Sequence, residues 1–330
     1  MDTARLGVVG LGWFGAVLLE AARATGRADV VACFARSVEA REAFATEHGC
    51  RAVESYDAML ASDDLDGVLL ATPHSTHVDM IVAAAAAGKH VFVEKPLALT
   101  VADTRRAVDA CDSAGVVLQV GYNRRRHPAN RRVKELISSG DLGTVLQLEG
   151  NQSGPGAKAP TFASWRADPA ECPAGGMTAM GIHVVDTFQF LVGPARRVSA
   201  LSKRVDGWRD IDETTVVLIE YESGPLATIG TSYYVPPVNT IVVYGSEGNV
   251  WVEEDGKRLF RQRIGEGARA EESIETLDTI CDELDEFARC VRDGDRPETS
   301  GEESLEVAAV LDAVLESVQR GSSVDVAELR

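Results

Sequence analysis

The chain has 330 residues, which exceeds the usual size of one domain and predicts two domains that share an interface. Hydrophobic residues make up 45% and charged residues 25%, a composition typical of a folded globular protein and not of extended disorder. The formal net charge of −18 repels phosphate backbones and anionic lipids, and so disfavours nucleic acid or a membrane surface as a partner.

The first 120 residues alternate short apolar segments with Ala-rich helical patterns. This alternation is typical of βαβ units in a parallel sheet covered by helices on both faces. We predict strands at 6–9, 30–34, 67–70, 90–93 and 116–120, and helices at 14–24, 38–47, 75–87 and 100–113.

The pattern changes after Gly121, where we expect a second domain to begin. The Gly- and Pro-rich segment 152–173 is predicted to be a long loop, either functional or a plain surface excursion. Strands separated by turn residues then predict an antiparallel sheet. The predicted elements are a helix at 130–138, strands at 144–149, 198–205, 214–221, 226–234, 240–245 and 249–253, and helices at 279–293 and 301–320.

The six cysteines contain no C-x-x-C pair, so we expect reduced thiols and neither a disulfide framework nor a metal site. The N-terminus runs into an apolar strand without a basic region or cleavage site, and no apolar run approaches membrane-spanning length. These features favour a cytoplasmic location for the protein.

A G-x-G-x-x-G motif follows the first predicted strand and opens a helix. The first glycine allows a tight turn, the second lets the backbone approach a pyrophosphate, and the third allows close packing of helix and strand. The alternative is a glycine turn without a ligand. The motif predicts dinucleotide contacts from Gly10, Gly12, Trp13, Phe14 and Gly15.

The end of the second predicted strand lacks the acidic residue that usually bonds the ribose of NAD. Arg36 and Ser37 stand there instead. They could hold a 2′-phosphate, which favours NADP over the alternative NAD, unless Arg36 is only a solvated turn residue.

Further motifs follow the later strands in an order that resembles the Gfo/Idh/MocA family, which includes glucose-fructose oxidoreductase and inositol 2-dehydrogenase. The resemblance covers nearly the full chain. The motifs are Ala71-Thr72-Pro73 with His77, Glu94-Lys95-Pro96, Gly121-Tyr122-Asn123-Arg124-Arg125, Gly175-Gly176 leading to His183, and Tyr244-Gly245-Ser246-Glu247-Gly248.

The resemblance implies an α/β fold with two parts. The first is a Rossmann domain with a doubly wound parallel sheet, at 1–121. The second is an α+β domain with an open-faced, mainly antiparallel sheet, at 122–330, which binds substrate and associates into dimers or tetramers. As an alternative, the last helix packs back on the Rossmann domain.

The resemblance also implies an NAD(P)-dependent dehydrogenase or reductase that acts on a secondary alcohol or ketone of a sugar, cyclitol or related cyclic polyol. The rival hypothesis is a regulatory protein that binds NAD(P) without turnover. Lys95 would be the catalytic lysine, because an ammonium group there can hydrogen-bond the substrate oxygen. Its alternative is a surface lysine. Thr72, Pro73, His77 and Glu94 would contact the cofactor.

His183 matches the histidine that the family uses for proton transfer. Many members carry an aspartate four residues earlier, where this chain has Ala179. Three alternatives follow: His183 works without that carboxylate, Lys95 is the main acid-base group, or Asp186 supplies a carboxylate. Asp186 could equally be a structural helix contact.

Several other residues match positions that flank the substrate in relatives. An arginine there could receive a carboxylate through two hydrogen bonds, which would fit a sugar acid or a carboxylated cyclic diol. Solvation at the surface is the alternative for these arginines. The candidates, besides Asp186, are Asn123, Arg125, Trp165 and Arg166.

Overall fold

The computed structural model describes residues 3–158, 162, 164–207 and 209–330, so part of the predicted loop at 152–173 lies outside the described residues. The chain forms two compact units. The first combines Met1–Asn123 with Asp278–Leu305, and the second combines Arg124–Leu277 with Glu306–Arg330. The assignment of cofactor and substrate binding to domains 1–121 and 122–330 stays a prediction.

The first unit contains a six-stranded parallel sheet with strand order β3-β2-β1-β4-β5-β6, which confirms the predicted Rossmann fold. The order reverses direction between β1 and β4, and open α/β sheets bind their ligands at such a point. The elements along the chain are β1 (Ala4–Val9), α1 (Trp13–Ala24), β2 (Ala28–Phe34), α2 (Val38–His48), β3 (Arg51–Ala52), α3 (Tyr56–Leu60), β4 (Gly67–Leu70), α4 (His77–Ala86), β5 (His90–Val93), α5 (Val101–Ala114) and β6 (Leu118–Val120).

The core of this unit lies between the sheet and its helices. β4 is buried along its whole length, as expected for a parallel strand covered on both faces. A later helix, α8 (Thr279–Asp293), belongs to the same core, where the ring of Phe287 meets the edge of Phe92 at a centroid distance of 5.8 Å. The first unit therefore draws on two distant parts of the sequence.

The second unit contains a nine-stranded sheet with order β14-β13-β12-β11-β7-β10-β9-β8-β15. Its pairs are antiparallel except for β7 and β10, which run parallel and were not foreseen. Its elements are α6 (Pro128–Ser138), β7 (Val145–Ser153), α7 (Ile182–Val192), β8 (Ala195–Lys203), β9 (Thr214–Tyr221), β10 (Leu226–Ser232), β11 (Val238–Gly245), β12 (Gly248–Glu253), β13 (Arg258–Arg263), β14 (Ala270–Glu272), much of α9 (Gly301–Arg320), and β15 (Val324–Asp325).

Helix α7 lies close to the centre of this sheet because β7 has a glycine where they meet. A Cβ atom on Gly150 would lie 2.3 Å from Cγ1 of Val184. A side chain at this position would therefore force α7 away from the sheet.

All six cysteines carry free thiols. Among the described residues, no group of three or more His, Cys, Asp or Glu side chains is arranged to hold a metal ion. Nor does the described part of the chain contain a helix that is long and apolar enough to cross a membrane.

Candidate functional site

Two of the three motif glycines after β1 are required by the packing of the protein itself. Gly10 has a φ of +92°, and a Cβ atom there would lie 2.3 Å from the carbonyl oxygen of Ala71, just after β4. A Cβ atom on Gly15 would lie 2.1 Å from the carbonyl oxygen of Gly10. β1, α1 and the segment after β4 can therefore approach this closely only when both positions are glycine.

Gly12 differs, because no neighbouring atom requires it to be glycine. It is the N-cap of α1, its backbone is extended (φ −80°, ψ −174°), and a Cβ atom there would meet no described atom within 4 Å. Because glycine has no side chain, the N-terminus of α1 is not capped by a side-chain hydrogen bond. The open space beside an uncapped helix N-terminus fits a pyrophosphate, which the backbone N–H groups and the helix dipole attract.

The two aromatic residues that follow Gly12 have different environments. Trp13 is 79% exposed, and its ring contacts Phe14 edge to face at 5.5 Å between centroids. Phe14 packs against the core of the first unit. Trp13 therefore presents a large apolar surface at the start of α1.

Arg36 and Ser37 lie between β2 and α2, as predicted, but their side chains are used differently. The Ser37 hydroxyl caps α2, accepting a hydrogen bond from the N–H of Ala40 at 3.1 Å and donating to Glu39 at 2.9 Å. Arg36 is exposed, and within the described residues it has no ion pair. Arg36 is therefore the cation at this end of β2, whereas a phosphate would have to compete with Glu39 for Ser37.

His77 lies between the segments that follow β4 and β5. It is fully buried, with Nε2 3.0 Å from the carbonyl oxygen of Thr72, and Nδ1 3.0 Å and 3.2 Å from those of Pro96 and Leu97. The Thr72 hydroxyl accepts from Thr76 at 2.8 Å. His77 thus fixes the spacing of the two segments that contain the predicted cofactor residues Thr72, Pro73, Glu94 and Lys95.

The chain leaves β5 through Glu94, Lys95 and Pro96. The N–H of Glu94 donates to the carbonyl oxygen of Leu70 at 2.9 Å, and a Cβ atom on Gly121 would lie 2.7 Å from Oε1 of Glu94. Gly121 therefore makes room for the Glu94 carboxylate. Lys95 is half-buried, and a cis peptide bond joins it to Pro96.

The predicted residues of the first unit converge because their strands are parallel neighbours. Gly10 follows β1, Thr72 follows β4, Lys95 follows β5 and Gly121 follows β6, so all four lie at the carboxyl edge of one sheet. This edge is where open α/β folds hold ligands.

In the second unit, α7 is preceded by a turn of π-helix, Met177–Gly181. Such turns are rare and are frequent at functional sites. Ala179 lies within this turn, whereas His183 is the second residue of α7 and is 7% exposed. The spacing from Ala179 to His183 therefore spans a change of helix type that the sequence does not reveal.

Arg125 and Asp186 form a buried ion pair. Arg125 donates through Nε to Oδ2 of Asp186 at 3.1 Å and through Nη2 to Oδ1, and the exposed fractions of the two side chains are 6% and 0%. The guanidinium also lies 5.5 Å from the ring centre of Phe190. Both residues were predicted to flank substrate; the structure places them against each other, one helical turn beyond His183.

We expect Asp186→Asn to lower the free energy of unfolding by about 3 kcal/mol, because it leaves the Arg125 charge buried without its carboxylate. Urea denaturation would measure this. Asp79→Asn is the matched control, since the side chains of Asp79 and its partner Arg106 are 76% and 54% exposed and an exposed pair contributes under about 1 kcal/mol. Equal losses in both variants would contradict the stabilising role of the buried pair.

A polar cavity beside His183 contains groups that the sequence did not single out. Arg124 pairs with Asp255, which lies in the tight turn between β12 and β13 at a φ of +60°. Burial lowers the pKa of Arg124 to about 10. Burial, together with the charges of Arg124 and Lys257, lowers the pKa of His127 to about 4. His127 is therefore neutral at pH 7, and the positive charge at this end of the cavity belongs to Arg124.

The remaining predicted substrate residues do not line this cavity. Asn123 belongs to the first unit, where its amide donates to the hydroxyl of Thr279 at 3.1 Å. Trp165 and Arg166 belong to the second unit, where the guanidinium stacks 4.2 Å from the indole centre.

Both units match family models. Residues 4–122 match the model described as the GFO_IDH_MocA oxidoreductase family with an NAD-binding Rossmann fold. Residues 130–251 match the model of the GFO/IDH/MocA C-terminal domain. The two matches follow the order that the sequence motifs predicted.

Individual relatives are similar along most of the chain. D-xylose 1-dehydrogenase (NADP(+)) 2 of Haloferax volcanii is 30% identical, over 82% of this chain and 83% of its own. D-apiose dehydrogenase of Paraburkholderia graminis is 29% identical, over 98% and 89%. A crystal structure of an oxidoreductase from Desulfitobacterium hafniense has a TM-score of 0.94 at 28% identity, covering 100% of this chain and 99% of that one.

Proposed function

Because the chain belongs to the Gfo/Idh/MocA family of oxidoreductases, we propose that it transfers a hydride between NADP(H) and a secondary alcohol or ketone of a sugar, cyclitol or related cyclic polyol. One observation carries this proposal: the open Gly12 position and Lys95 lie at the same edge of one parallel sheet. The edge thus combines room for a dinucleotide with a group able to act on a substrate oxygen.

The relatives favour turnover over the rival hypothesis of a regulatory protein that only binds NAD(P). Two of those compared above are dehydrogenases of D-xylose and D-apiose. Ala179 is the one feature that speaks for the rival, and the retained Lys95 and His183 speak against it.

The cofactor would be held by the groups at the carboxyl edge of the sheet. The start of α1 would bind the pyrophosphate, and Arg36 the 2′-phosphate. His77 would act by holding the two segments in place, since its ring nitrogens already face carbonyl oxygens. The further contacts are proposed for Trp13, Phe14, Ser37, Thr72, Pro73 and Glu94.

A bound nicotinamide cofactor would supply the hydride chemistry at the substrate carbon, and the residues of the protein would handle the proton and the charge on the substrate oxygen. The Lys95 ammonium would donate a hydrogen bond to the substrate oxygen and stabilise its developing negative charge. His183 would take the hydroxyl proton during oxidation and return it during reduction. Arg125 and Asp186 would hold the helix that carries His183 and would not contact substrate.

A panel of sugars, inositols and cyclic diols tests the proposal, with each compound assayed by nicotinamide absorbance with NADP⁺ and with NAD⁺. We expect turnover of at least one ring-shaped polyol. Tight binding of the nicotinamide cofactor without turnover of any compound in either direction would favour the regulatory alternative.

We expect NADP⁺ to bind at least tenfold more tightly than NAD⁺, a difference of about 1.4 kcal/mol. Arg36→Ala should remove this preference, because Arg36 is the exposed cation at the end of β2. Calorimetric titration of both cofactors would measure it.

The control is Arg105→Ala, which removes an exposed arginine from α5. This variant should keep the preference, which excludes a general effect of net charge. Tenfold tighter binding of NAD⁺ to the wild-type protein would refute the assignment of Arg36.

We also propose a cytoplasmic homo-oligomer, formed through the outer face of the nine-stranded sheet. Four apolar side chains of β8, β9 and β10 share this face. Leu201 is paired with Val216, Leu218 follows two residues later on the same face of β9, and Leu226 is paired with Glu220 of that face. Each is more than half exposed: Leu201, Val216, Leu218 and Leu226. A second copy of the same sheet would cover such a surface isologously.

Leu218→Glu should shift the protein toward the monomer, because the substitution places two charges in the centre of a two-fold interface. Light scattering after size-exclusion chromatography would measure the mass. Ile264→Glu, at a 74% exposed position in the turn after β13, should leave the mass unchanged. A wild-type monomer would refute this part of the proposal.

A further inference from the structure

Ala179 packs against an apolar and aromatic cluster. The buried members are Ala157, Ile211 and Tyr233, and Phe162, Ala179, Met180 and Tyr234 pack against them. Phe162 and Tyr233 meet edge to face at 5.5 Å between ring centroids. The position where many relatives carry an aspartate is therefore an apolar surface here, one turn before His183.

Three cations lie on the aromatic rings around this cluster. Arg209 lies 5.1 Å from the ring centre of Phe162, Lys158 lies 5.8 Å from that of Tyr234, and Arg166 lies 4.2 Å from that of Trp165. Burial raises the pKa of Tyr233, and the charge of Arg166 opposes that rise, which places Arg166 near the same cluster. We call Lys158, Arg166 and Arg209 the stacked cations.

The stacked cations differ from most arginines of this unit, such as Arg132 and Arg258, which pair with carboxylates. As far as the structure describes the chain, no carboxylate lies within 4.0 Å of Lys158, Arg166 or Arg209. Arg209 also donates through Nε to the carbonyl oxygen of Ala157 at 2.8 Å. A guanidinium over a ring can still offer its remaining N–H donors to an anion.

Two acidic groups close to Arg209 in the sequence already have partners. Glu213 accepts hydrogen bonds from the N–H groups of Val205, Asp206 and Gly207 at 2.6–2.8 Å. Asp210 pairs with Arg204 at 2.6 Å. These carboxylates therefore leave the stacked cations able to receive an external anion.

We propose that the substrate of this enzyme carries a carboxylate, which the stacked cations bind while its ring lies against the apolar surface at Ala179; this rests on the proposed function. The ligand class is a sugar acid or a carboxylated cyclic polyol. A carboxylate suits the site better than a phosphate, because the net charge of −18 opposes a dianion more strongly than a monoanion. The absence of an aspartate at 179 also removes a charge that would repel such a substrate.

The test uses pairs of compounds that differ in the carboxylate: D-glucuronate against D-glucose, and quinate against myo-inositol. Calorimetry on the full protein with saturating NADP⁺ measures binding, and nicotinamide absorbance measures turnover. We expect at least one acid to bind tenfold or more tightly than its neutral partner. Raising the salt concentration should weaken this binding.

Arg166→Met should reduce the preference for the acid about tenfold and leave binding of the neutral compound unchanged. Arg166→Lys should keep part of this preference, since lysine carries the positive charge but cannot form the two parallel hydrogen bonds of a guanidinium. Arg209→Met should also reduce the preference for the acid, which tests the site at a second residue. Lys203→Met, which removes an exposed lysine of β8, is the control and should keep the preference.

The outcomes separate the two proposals. Turnover of neutral polyols without binding of either acid would overturn the carboxylate inference and leave the proposed function standing. Acid binding that depends on Arg166 without any turnover would support the subsite and count against the proposed reaction. Tighter binding of glucose 6-phosphate than of either acid would overturn the carboxylate assignment, as would binding of neither acid.

Discussion

Gly12→Val should abolish measurable nicotinamide dinucleotide binding in a protein that still folds. The structure provides the reason for both halves of this result. An extended backbone accepts valine without strain, and the new Cβ would meet no described atom within 4 Å beyond its two chain neighbours. It would instead fill the space where a pyrophosphate approaches the start of α1. We expect at least a hundredfold loss of affinity by calorimetry, or about 2.7 kcal/mol, with a far-ultraviolet dichroism spectrum like that of the wild type.

Two other glycines separate this effect from general damage. Gly267→Val, at an exposed position with open space around its Cβ, should bind cofactor normally. Gly15→Val should instead destabilise the fold, because its Cβ would lie 2.1 Å from a backbone oxygen. Unchanged affinity in a folded Gly12→Val protein would remove the dinucleotide site from this turn.

The strands of the first unit could be predicted because buried parallel strands are short, continuous apolar runs. The predicted ranges for β4 and β5 match the structure, whereas β3 was missed because two residues give no pattern. β13 and β14 were missed for another reason. Their sequences, RLFRQR and AEE, are charged and show little apolar alternation. β14 is the edge strand of the sheet and β13 is its only neighbour, so backbone pairing defines both strands more than an apolar pattern does.

The candidate site could be predicted where a residue's position follows from strand order. It was harder to predict where the role of a residue depends on which side chains it contacts. The parallel sheet places Gly10, Thr72 and Lys95 at one edge whatever their neighbours are. In contrast, Arg125 and Asp186 are separated by 61 positions, so nothing local in the sequence indicates that they pair. Ser37 satisfies the pattern of a helix cap as well as that of a phosphate ligand, and only its hydrogen bonds distinguish the two.

Lys95→Ala should lower kcat by about 10² to 10⁴ on any accepted substrate, the range expected for removing a positioned acid or oxyanion donor. Nicotinamide affinity should stay within a few-fold of the wild type, because the glycine turn after β1 is untouched. Lys95 follows β5 at the same sheet edge as that turn, and its side chain is half-buried, so its removal should leave the turn itself unchanged. Steady-state kinetics and cofactor titration measure the two quantities, and Lys203→Ala controls for the loss of one lysine.

The comparison with His183→Ala then separates the proposed mechanisms. Ala179 offers no carboxylate, and the Asp186 carboxylate holds Arg125, so His183 is expected to contribute less than in relatives that carry the aspartate. A much larger loss in Lys95→Ala than in His183→Ala would identify the lysine as the main acid-base group. If a primary amine added to Lys95→Ala restores part of the rate while leaving His183→Ala unchanged, the missing group is the ammonium itself. A Lys95→Ala enzyme with near wild-type turnover would exclude this lysine from the reaction, and the acid-base role would pass to His183.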